Sequence, residues 1–307
     1  MKAKSLTFFT LANPGIFLGG IKGESKSDIL LKIDPNFLPK SFLIKENADV
    51  LEEIKNLKTA QLDYPIIMKP DVGERGKKVE KIENEIGLVN YLIENRGKAI
   101  CQEFIDYSIE LGVLFYQYPL SKKYGISSIV RKEFLQVEGD GKSTLHTLIL
   151  ANNRAHLQLE YLLRKFEYQL NDIISEGEIL VLEPIGNHCR GTTFLSEQSL
   201  ISPQLVEVFR EISKNIPGFY IGRFDIKVKS LEDLVKGENI RILELNGITS
   251  EPAHIYQPGY SLFSAYKALF KHVLLIYEIA LENRKLGFQF ISLKSFYKEL
   301  KTQSLKE

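Results

Sequence analysis

Three side chains suited to the same chemistry stand in two short segments. Asp225 lies in IGRFDIKV, and Glu244 and Asn246 lie in RILELNG. Both segments read as β-strands, whose side chains repeat every two residues. Glu244 and Asn246, two residues apart, therefore point to one face. If the two strands pair antiparallel, Asp225 comes beside Glu244. Two carboxylates and an amide oxygen on one face repel one another unless a cation neutralises them. An all-oxygen set suits Mg²⁺, which keeps water and phosphate oxygens in its remaining positions, with Mn²⁺ as the alternative. The same spacing also describes a solvated hairpin with ordinary surface acids.

A second group surrounds PIIMKPDVGERGKKV. An apolar strand delivers Lys69, and a loop with Gly73 and Gly76 follows, carrying Arg75, Lys77 and Lys78. Glycines let backbone N–H groups approach phosphates, and a strand-borne lysine sets a point charge beside them. The segment lacks the Gly-Lys-Ser/Thr of a P-loop, and a mobile basic surface loop reads equally well. A third group, CQEFIDYSIE, offers Glu103, the backbone at Ile105, and Glu110 as the rim of a nucleotide pocket, or else an ordinary strand–turn–strand. The polar loop EPIGNHCRGTT brings Asn187, His188, Cys189 and Arg190. His188 and Cys189 point to opposite sides of an extended segment, which suits a hydrogen bond for His188 and packing for Cys189 better than a nucleophile pair. Ser250, Glu251 and His254, in TSEPAHIYQPGY, are candidates for a substrate pocket or for a structural loop. Arg131 and Arg154 could face an anion, although surface ion pairs explain each by itself.

These residues need elements to hold them. Strands are expected at 41–45, 64–69, 99–105, 110–118, 126–137, 178–183, 220–229 and 240–245. Helices are expected at 48–58, at 84–96 with Gly97 as C-terminal cap, and from Ser143 or Thr144 to about Asn153. Two more are expected from Ser202-Pro203 to about Pro217, and at 261–282. The last has an apolar stripe (Phe263, Tyr266, Leu269, Phe270, Val273, Leu274, Tyr277) that reads as core-facing or as a dimer surface. Strands and helices mix without a repeating βαβ register, so the fold class is α+β.

Composition bounds the function. The chain has 307 residues, and forty basic against thirty-nine acidic side chains leave a net charge of +1. That balance argues against general nucleic-acid binding, which needs a basic excess. The two cysteines, Cys101 and Cys189, are too few for a disulfide framework or a zinc site and fit a reducing compartment. No apolar run reaches the roughly 18–20 residues that cross a bilayer. The apolar stretch near the N-terminus is broken at Asn13-Pro14, unlike a signal peptide. A cytoplasmic protein without a membrane partner is expected.

The order of these groups is more specific than any one of them. A strand lysine, a flexible glycine loop, a hinge with acids, an arginine-bearing loop and then R-x-D…E-x-N resemble the ATP-grasp superfamily over about residues 36–260. The resemblance is to its carboxylate–amine ligase branch, which includes D-alanine–D-alanine ligase, glutathione synthetase and cyanophycin synthetase. GRFDIKV…RILELNGITSEP is the most specific part, and VEGDGKSTLHTLI and NHCRGT resemble the cyanophycin-type branch. The resemblance implies two α+β lobes enclosing ATP: a small lobe at 36–110 and a large lobe at 111–290 carrying the metal site. An irregular leader at 1–35 and a C-terminal tail helix at 291–307 flank them. It implies Mg²⁺ on Asp225, Glu244 and Asn246, and Arg223 and Arg190 as catalytic cations. Lys69, Gly73, Gly76, Glu103, Ile105 and Glu110 would contact the nucleotide. Asn187, His188, Ser250, Glu251 and His254 would face the substrate. The implied reaction joins a carboxylate, through an acyl phosphate, to an amine of amino-acid or peptide-like character and releases ADP and phosphate. An ATP-grasp small-molecule kinase and a non-catalytic nucleotide-binding module are the alternatives. The chain departs from the pattern in two places. A short leader stands where an αβα domain is usual, so a homodimer or a partner chain could supply that part. Glu74-Arg75 replaces a serine-rich loop tip.

Overall fold

Among the described residues the strand segments form three antiparallel sheets backed by helices, so the fold is α+β. The structure is a computed structural model and describes residues 5–74 and 76–304; Arg75, at the tip of the glycine loop, lies outside them. The leader is more organised than the irregular segment expected. It forms short helical turns and then α1 (Lys26–Leu30), which starts where the Ser25 hydroxyl accepts the Asp28 N–H. Asn13 explains how the leader is held. It is fully buried, donates to the carbonyls of Gly19 and Ile221, and accepts the N–H groups of Tyr220 and Ile221. One side chain thus stands in for a strand's hydrogen bonds along the start of a central strand.

The first sheet contains β1 (Ser41–Ile44), β2 (Ile66–Pro70), β3 (Glu80–Ile82) and β4 (Ala99–Glu103), in the order β1-β4-β2-β3. Two helices, α2 (Val50–Thr59) and α3 (Glu85–Glu94), cover one face. They are capped by Asp49 and Asn84, whose side chains accept the backbone N–H groups of Glu52 and Gly87. α3 ends at Glu94, with Asn95 rather than Gly97 as its C-cap. Ile66, Met68 and Cys101 point into the core under these helices. Strand alternation therefore turns Ile67 and Lys69 to the opposite face.

The larger sheet begins with β5 (Ile109–Gln117) and β6 (Tyr124–Glu133). The single strand expected at 126–137 is two. β6 ends at Glu133, and β7 (Leu135–Glu138) pairs with β8 (Ile179–Glu183) in a separate ribbon. That ribbon, with α4 (Leu145–Ala151) and α5 (Leu159–Lys165), encloses its own core around Leu135, Ile149, Leu162 and Leu182. Thr144 caps α4, which stops at Ala151 because the Asn152 side chain accepts the N–H groups of Arg154 and Ala155 and starts a new turn. The sheet is completed by β9 (Thr193–Ser196), β10 (Ile221–Val228) and β11 (Ile240–Asn246), in the order β11-β10-β5-β6-β9. Helices α6 (Pro203–Lys214) and α7 (Leu231–Lys236) lie beside it. The main core forms where Phe224, Ile226 and Val228 of β10 meet Leu111, Val113 and Phe115 of β5 and Phe209 of α6.

Two helices close the chain: α8 (Leu262–Lys285) and α9 (Leu293–Ser304). α8 buries Ile276 and Ile279 against Ala12, Ile221 and Ile248. Its apolar stripe is not all core. Phe263 is 79% exposed, and Tyr266 and Phe270 are exposed beside it. Among the described residues no helix is long and apolar enough to cross a membrane.

Candidate active site

The alternation that buries Phe224, Ile226 and Val228 places Arg223, Asp225 and Lys227 on the other face of β10. β11 pairs antiparallel with it, setting Asp225 opposite Glu244 and Arg223 opposite Asn246. The R-x-D and E-x-N residues therefore share one face, as expected from their spacing. Asp225 is buried and closely partnered. Arg223 donates to it through Nε at 2.7 Å and Nη2 at 3.2 Å, Lys132 Nζ of β6 lies 3.4 Å away, and Asn246 Nδ2 lies at 3.4 Å. Burial alone would raise the Asp225 pKa, but Arg223 and Lys132 outweigh it and hold the carboxyl below its usual range. Burial opposes the charge of Lys132 too, yet Asp225 and Glu110 keep its amine above the usual value. Gly112 of β5 makes this cluster fit. A Cβ there would stand 3.1 Å from Arg223 Cδ and 3.3 Å from Asp225 Oδ1.

A bulge in β11 prepares the second half. The register passes from Asp225–Glu244 to Ile226–Ile242, leaving Leu243 as the extra residue. Its carbonyl accepts from Lys69 Nζ at 2.8 Å, and Gln102 Oε1 accepts from the same amine at 3.0 Å. Lys69 is only 6% exposed, and its amine is held by these two uncharged oxygens. Burial pushes its pKa down to about 8, with Glu244 and Asp225 pulling the other way. An ammonium has three N–H donors, so one remains for a ligand. Lys26 of α1 comes from the leader, donates to the Gly73 carbonyl at 2.5 Å and stands 3.7 Å from Glu244 Oε1.

All of this borders one cavity of about 870 Å³ between the two larger sheets. The expected residues divide between its wall and its surroundings. Lys69, Gly73, Gly76, Glu103, Ile105, Glu110, Asn187, His188, Arg223, Asp225, Glu244, Asn246 and Glu251 line it. The three expected at the nucleotide rim are engaged within the protein, as Lys69, Arg223 and Asp225 are. Glu110 accepts from Lys132 at 2.9 Å, the Ile105 carbonyl from Lys227 at 2.8 Å, and Glu103 from the Lys40 N–H at 3.1 Å. Arg190 stands behind the wall, 3.4 Å from Glu183. Ser250 and His254 are buried away from the cavity, and the His254 ring bonds Ser128 Oγ at 2.9 Å. Arg131 pairs with Glu197 at 2.7 Å, and Arg154 donates to the carbonyls of Gly191 and Thr192. His188–Arg190 is a helical turn rather than an extended segment, so Cys189 is exposed instead of packed, and His188 stacks near Phe194 and Tyr256.

Sequence reasoning missed Lys26, Lys132, Lys227 and a wall from α8. Lys227 was findable, because it lies two residues beyond Asp225 in the same strand. Lys132 becomes a site residue only through the β5–β6 pairing. The donor set suits a hard divalent cation, with two carboxylates and an amide oxygen on one face. Glu244 is the less closely partnered carboxylate, since Asp225 is already met by Arg223 and Lys132. The lysines around it suit a polyphosphate. Among the described residues no cluster of three His, Cys, Asp or Glu side chains forms a metal site.

No family model matches the chain, and no curated protein sequence matches it. Among solved structures it is similar to the D-alanine–D-alanine ligase of Bacillus anthracis. That match has a TM-score of 0.47 and 13% identity, covering 86% of this chain and 69% of that one. It is also similar to the D-alanine–D-alanine ligase of Coxiella burnetii, with a TM-score of 0.47 and 9% identity over 86% and 59% of the two chains. For the bifunctional glutathione synthetase of Pasteurella multocida the TM-score is 0.40 at 12% identity over 80% of this chain, which spans 36% of that protein's length.

Proposed function

We propose that the protein is an ATP- and Mg²⁺-dependent ligase of the ATP-grasp type that joins a carboxylate to an amine on amino-acid or peptide-like substrates. The observation that carries this reading is the common face of Arg223, Asp225, Glu244 and Asn246 opening on the same cavity as Lys69. Glu244, Asn246 and Asp225 are the residues that would hold Mg²⁺. When bound, ATP would supply the phosphoryl group that activates the carboxylate as an acyl phosphate, with ADP as the leaving group, and the amine would then attack the acyl carbon and displace phosphate to leave the amide. Such catalysis is mostly positioning and charge stabilisation, so the protein's part is to fix cations around the transferring group. Lys69, braced by the Leu243 carbonyl and Gln102, has a donor left for a phosphate oxygen. Lys26 and the loop with Gly73 and Gly76 would cover the phosphates, while the strand end at Glu103–Ile105 and Glu110 would take the adenosine. Arg223, fixed by two bonds to Asp225, would face the reacting centre, with Asn187, His188 and Arg190 on the loop above.

The test is product analysis with purified protein, MgATP, carboxylates and amines. Phosphate release that requires both substrates, with an amide product seen by mass spectrometry, is the expected result. Glu244→Gln should abolish it while the circular dichroism spectrum is kept. A phosphorylated product without an amide would favour a kinase, and turnover unchanged in Glu244→Gln would overturn the metal assignment.

A further inference from the structure

The cavity has a second end that nucleotide chemistry does not use. Leu269, Val273 and Ile276 of α8 border it, spaced four and three residues apart and so on one helix face. Ile21 of the leader and Ile248 border it as well, and they pack in the same apolar cluster as Ile276. Ile248 lies two residues beyond Asn246, so this apolar end adjoins the proposed reaction centre.

One polar residue interrupts the apolar wall. His272 of α8 is 6% exposed, borders the cavity, and among the described residues neither ring nitrogen reaches a hydrogen-bond partner in good geometry. Buried polar groups are normally paired, and leaving one unpaired is costly. Burial keeps the ring neutral, against the pull of Glu251 and the Ile248 carbonyl. A neutral imidazole offers one N–H donor and one acceptor. Glu251, an exposed residue on the cavity rim, accepts from the Tyr256 hydroxyl through one carboxylate oxygen, which leaves the other for a ligand, and it lies within electrostatic reach of both Arg223 and His272. A carboxylate thus lines the same cavity as the reaction centre and the apolar wall.

We propose that this end binds an amine carrying an apolar side chain, with the ammonium at Glu251, the side chain against Leu269, Val273 and Ile276, and a second polar group hydrogen-bonded to His272. That is the chemistry of an apolar amino acid. Calling it the acceptor rests on the ligase reading above; the binding preference does not.

Calorimetric titration of the full chain tests it, with and without saturating MgADP. The probes are leucine and phenylalanine against serine and glutamate, with 3-phenylpropionate as an apolar acid lacking the amine. Leucine and phenylalanine should bind at least about tenfold more tightly than serine, since burying a side chain of that size is worth at least this factor. 3-Phenylpropionate should bind more weakly than phenylalanine. Leu269→Asp, and Val273→Asp at a half-exposed position, should each remove the preference. His272→Leu should weaken leucine binding about tenfold, and His272→Gln should restore part of it. Equal binding of apolar and polar amines under both conditions, or a preference that survives both aspartate variants, overturns the proposal. MgADP binding without an amine preference overturns this inference alone. An amine preference without MgADP binding supports it and overturns the ligase reading.

Discussion

Lys69 illustrates what burial does to a single residue. Its amine is held by two uncharged oxygens, and its pKa falls to about 8. A phosphate favours the protonated form, so binding above pH 8 must take up a proton. ADP affinity should therefore decline by up to about tenfold per pH unit as the pH rises above 8. In Lys69→Met the affinity should be lower throughout and the decline flatter. Titrations between pH 7 and 9.5 check this, and an equally steep decline in the variant would remove Lys69 from the phosphate site. Asp225 is the opposite case, with its folded pKa below the ordinary 3.8. It contributes stability that is present above the unfolded pKa and lost as the pH falls through the folded one. Asp225→Asn would leave the buried Arg223 without the carboxylate it donates to twice, while Lys132 keeps Glu110, and should cost about 3–5 kcal/mol at pH 7 by urea denaturation. The variant should also lack the loss of stability below pH 4 that Asp225 causes. The Arg223, Asp225, Glu244 and Asn246 set was legible in the sequence because a strand repeats every two residues. Lys132 and Lys26 were not, because each reaches the site from an element whose docking the local pattern does not encode.

At the scale of elements, the β10–β11 register decides whether the site exists. A slip of one residue would turn Arg223, Asp225 and Lys227 into the core and Phe224 and Ile226 into the cavity. Gly222 guards that register, since a Cβ there would lie 2.2 Å from the Asn246 carbonyl oxygen and 2.7 Å from the Phe219 ring. Gly222→Ala should cost at least about 1–3 kcal/mol, because backbone cannot yield as a flexible side chain can. Gly97, with open space around it, is the control, and Gly97→Ala should change the melting temperature little. Equal melting temperatures for the two variants would refute the packing argument. The pairing was readable from alternation and the helices largely from their caps, as with Thr144 and Ser202. The bulge at Leu243 left one trace, the adjacent apolar pair Ile242-Leu243 that breaks the alternation, but two neighbouring apolar residues also suit a strand buried on both faces, so the trace does not by itself specify a bulge. The outward turn of Phe263, Tyr266 and Phe270 was not readable, because periodicity shows that a stripe exists and not what it faces.

Across the whole molecule, the leader ties the two larger sheets together. Asn13 binds it to the start of β10. At its other end Asp71, which follows β2, accepts from the Ser25 hydroxyl at 2.9 Å and the Ser27 N–H at 2.8 Å, while its own carbonyl accepts the Lys26 N–H at 2.9 Å. Lys26 sits inside this knot and reaches both the Gly73 carbonyl and Glu244. One short segment therefore fixes the glycine-loop side of the cavity relative to the strands of the Asp225 face. Asp71→Ala removes the carboxylate and leaves the Ser27 N–H without its partner, a loss worth about 1–3 kcal/mol locally. Regions held by few contacts open below the global free energy, and amide exchange reports them. Exchange should quicken at Ser27 and through α1 while β10 stays protected, and ADP affinity should fall with the loss of Lys26's position. If exchange in α1 is unchanged, the strap is held by its apolar contacts alone, Ile29 and Leu30 in the main core, and Asp71 is a passenger. If α1 loosens and ADP affinity holds, Lys26 lies outside the phosphate site although it stands 3.7 Å from Glu244.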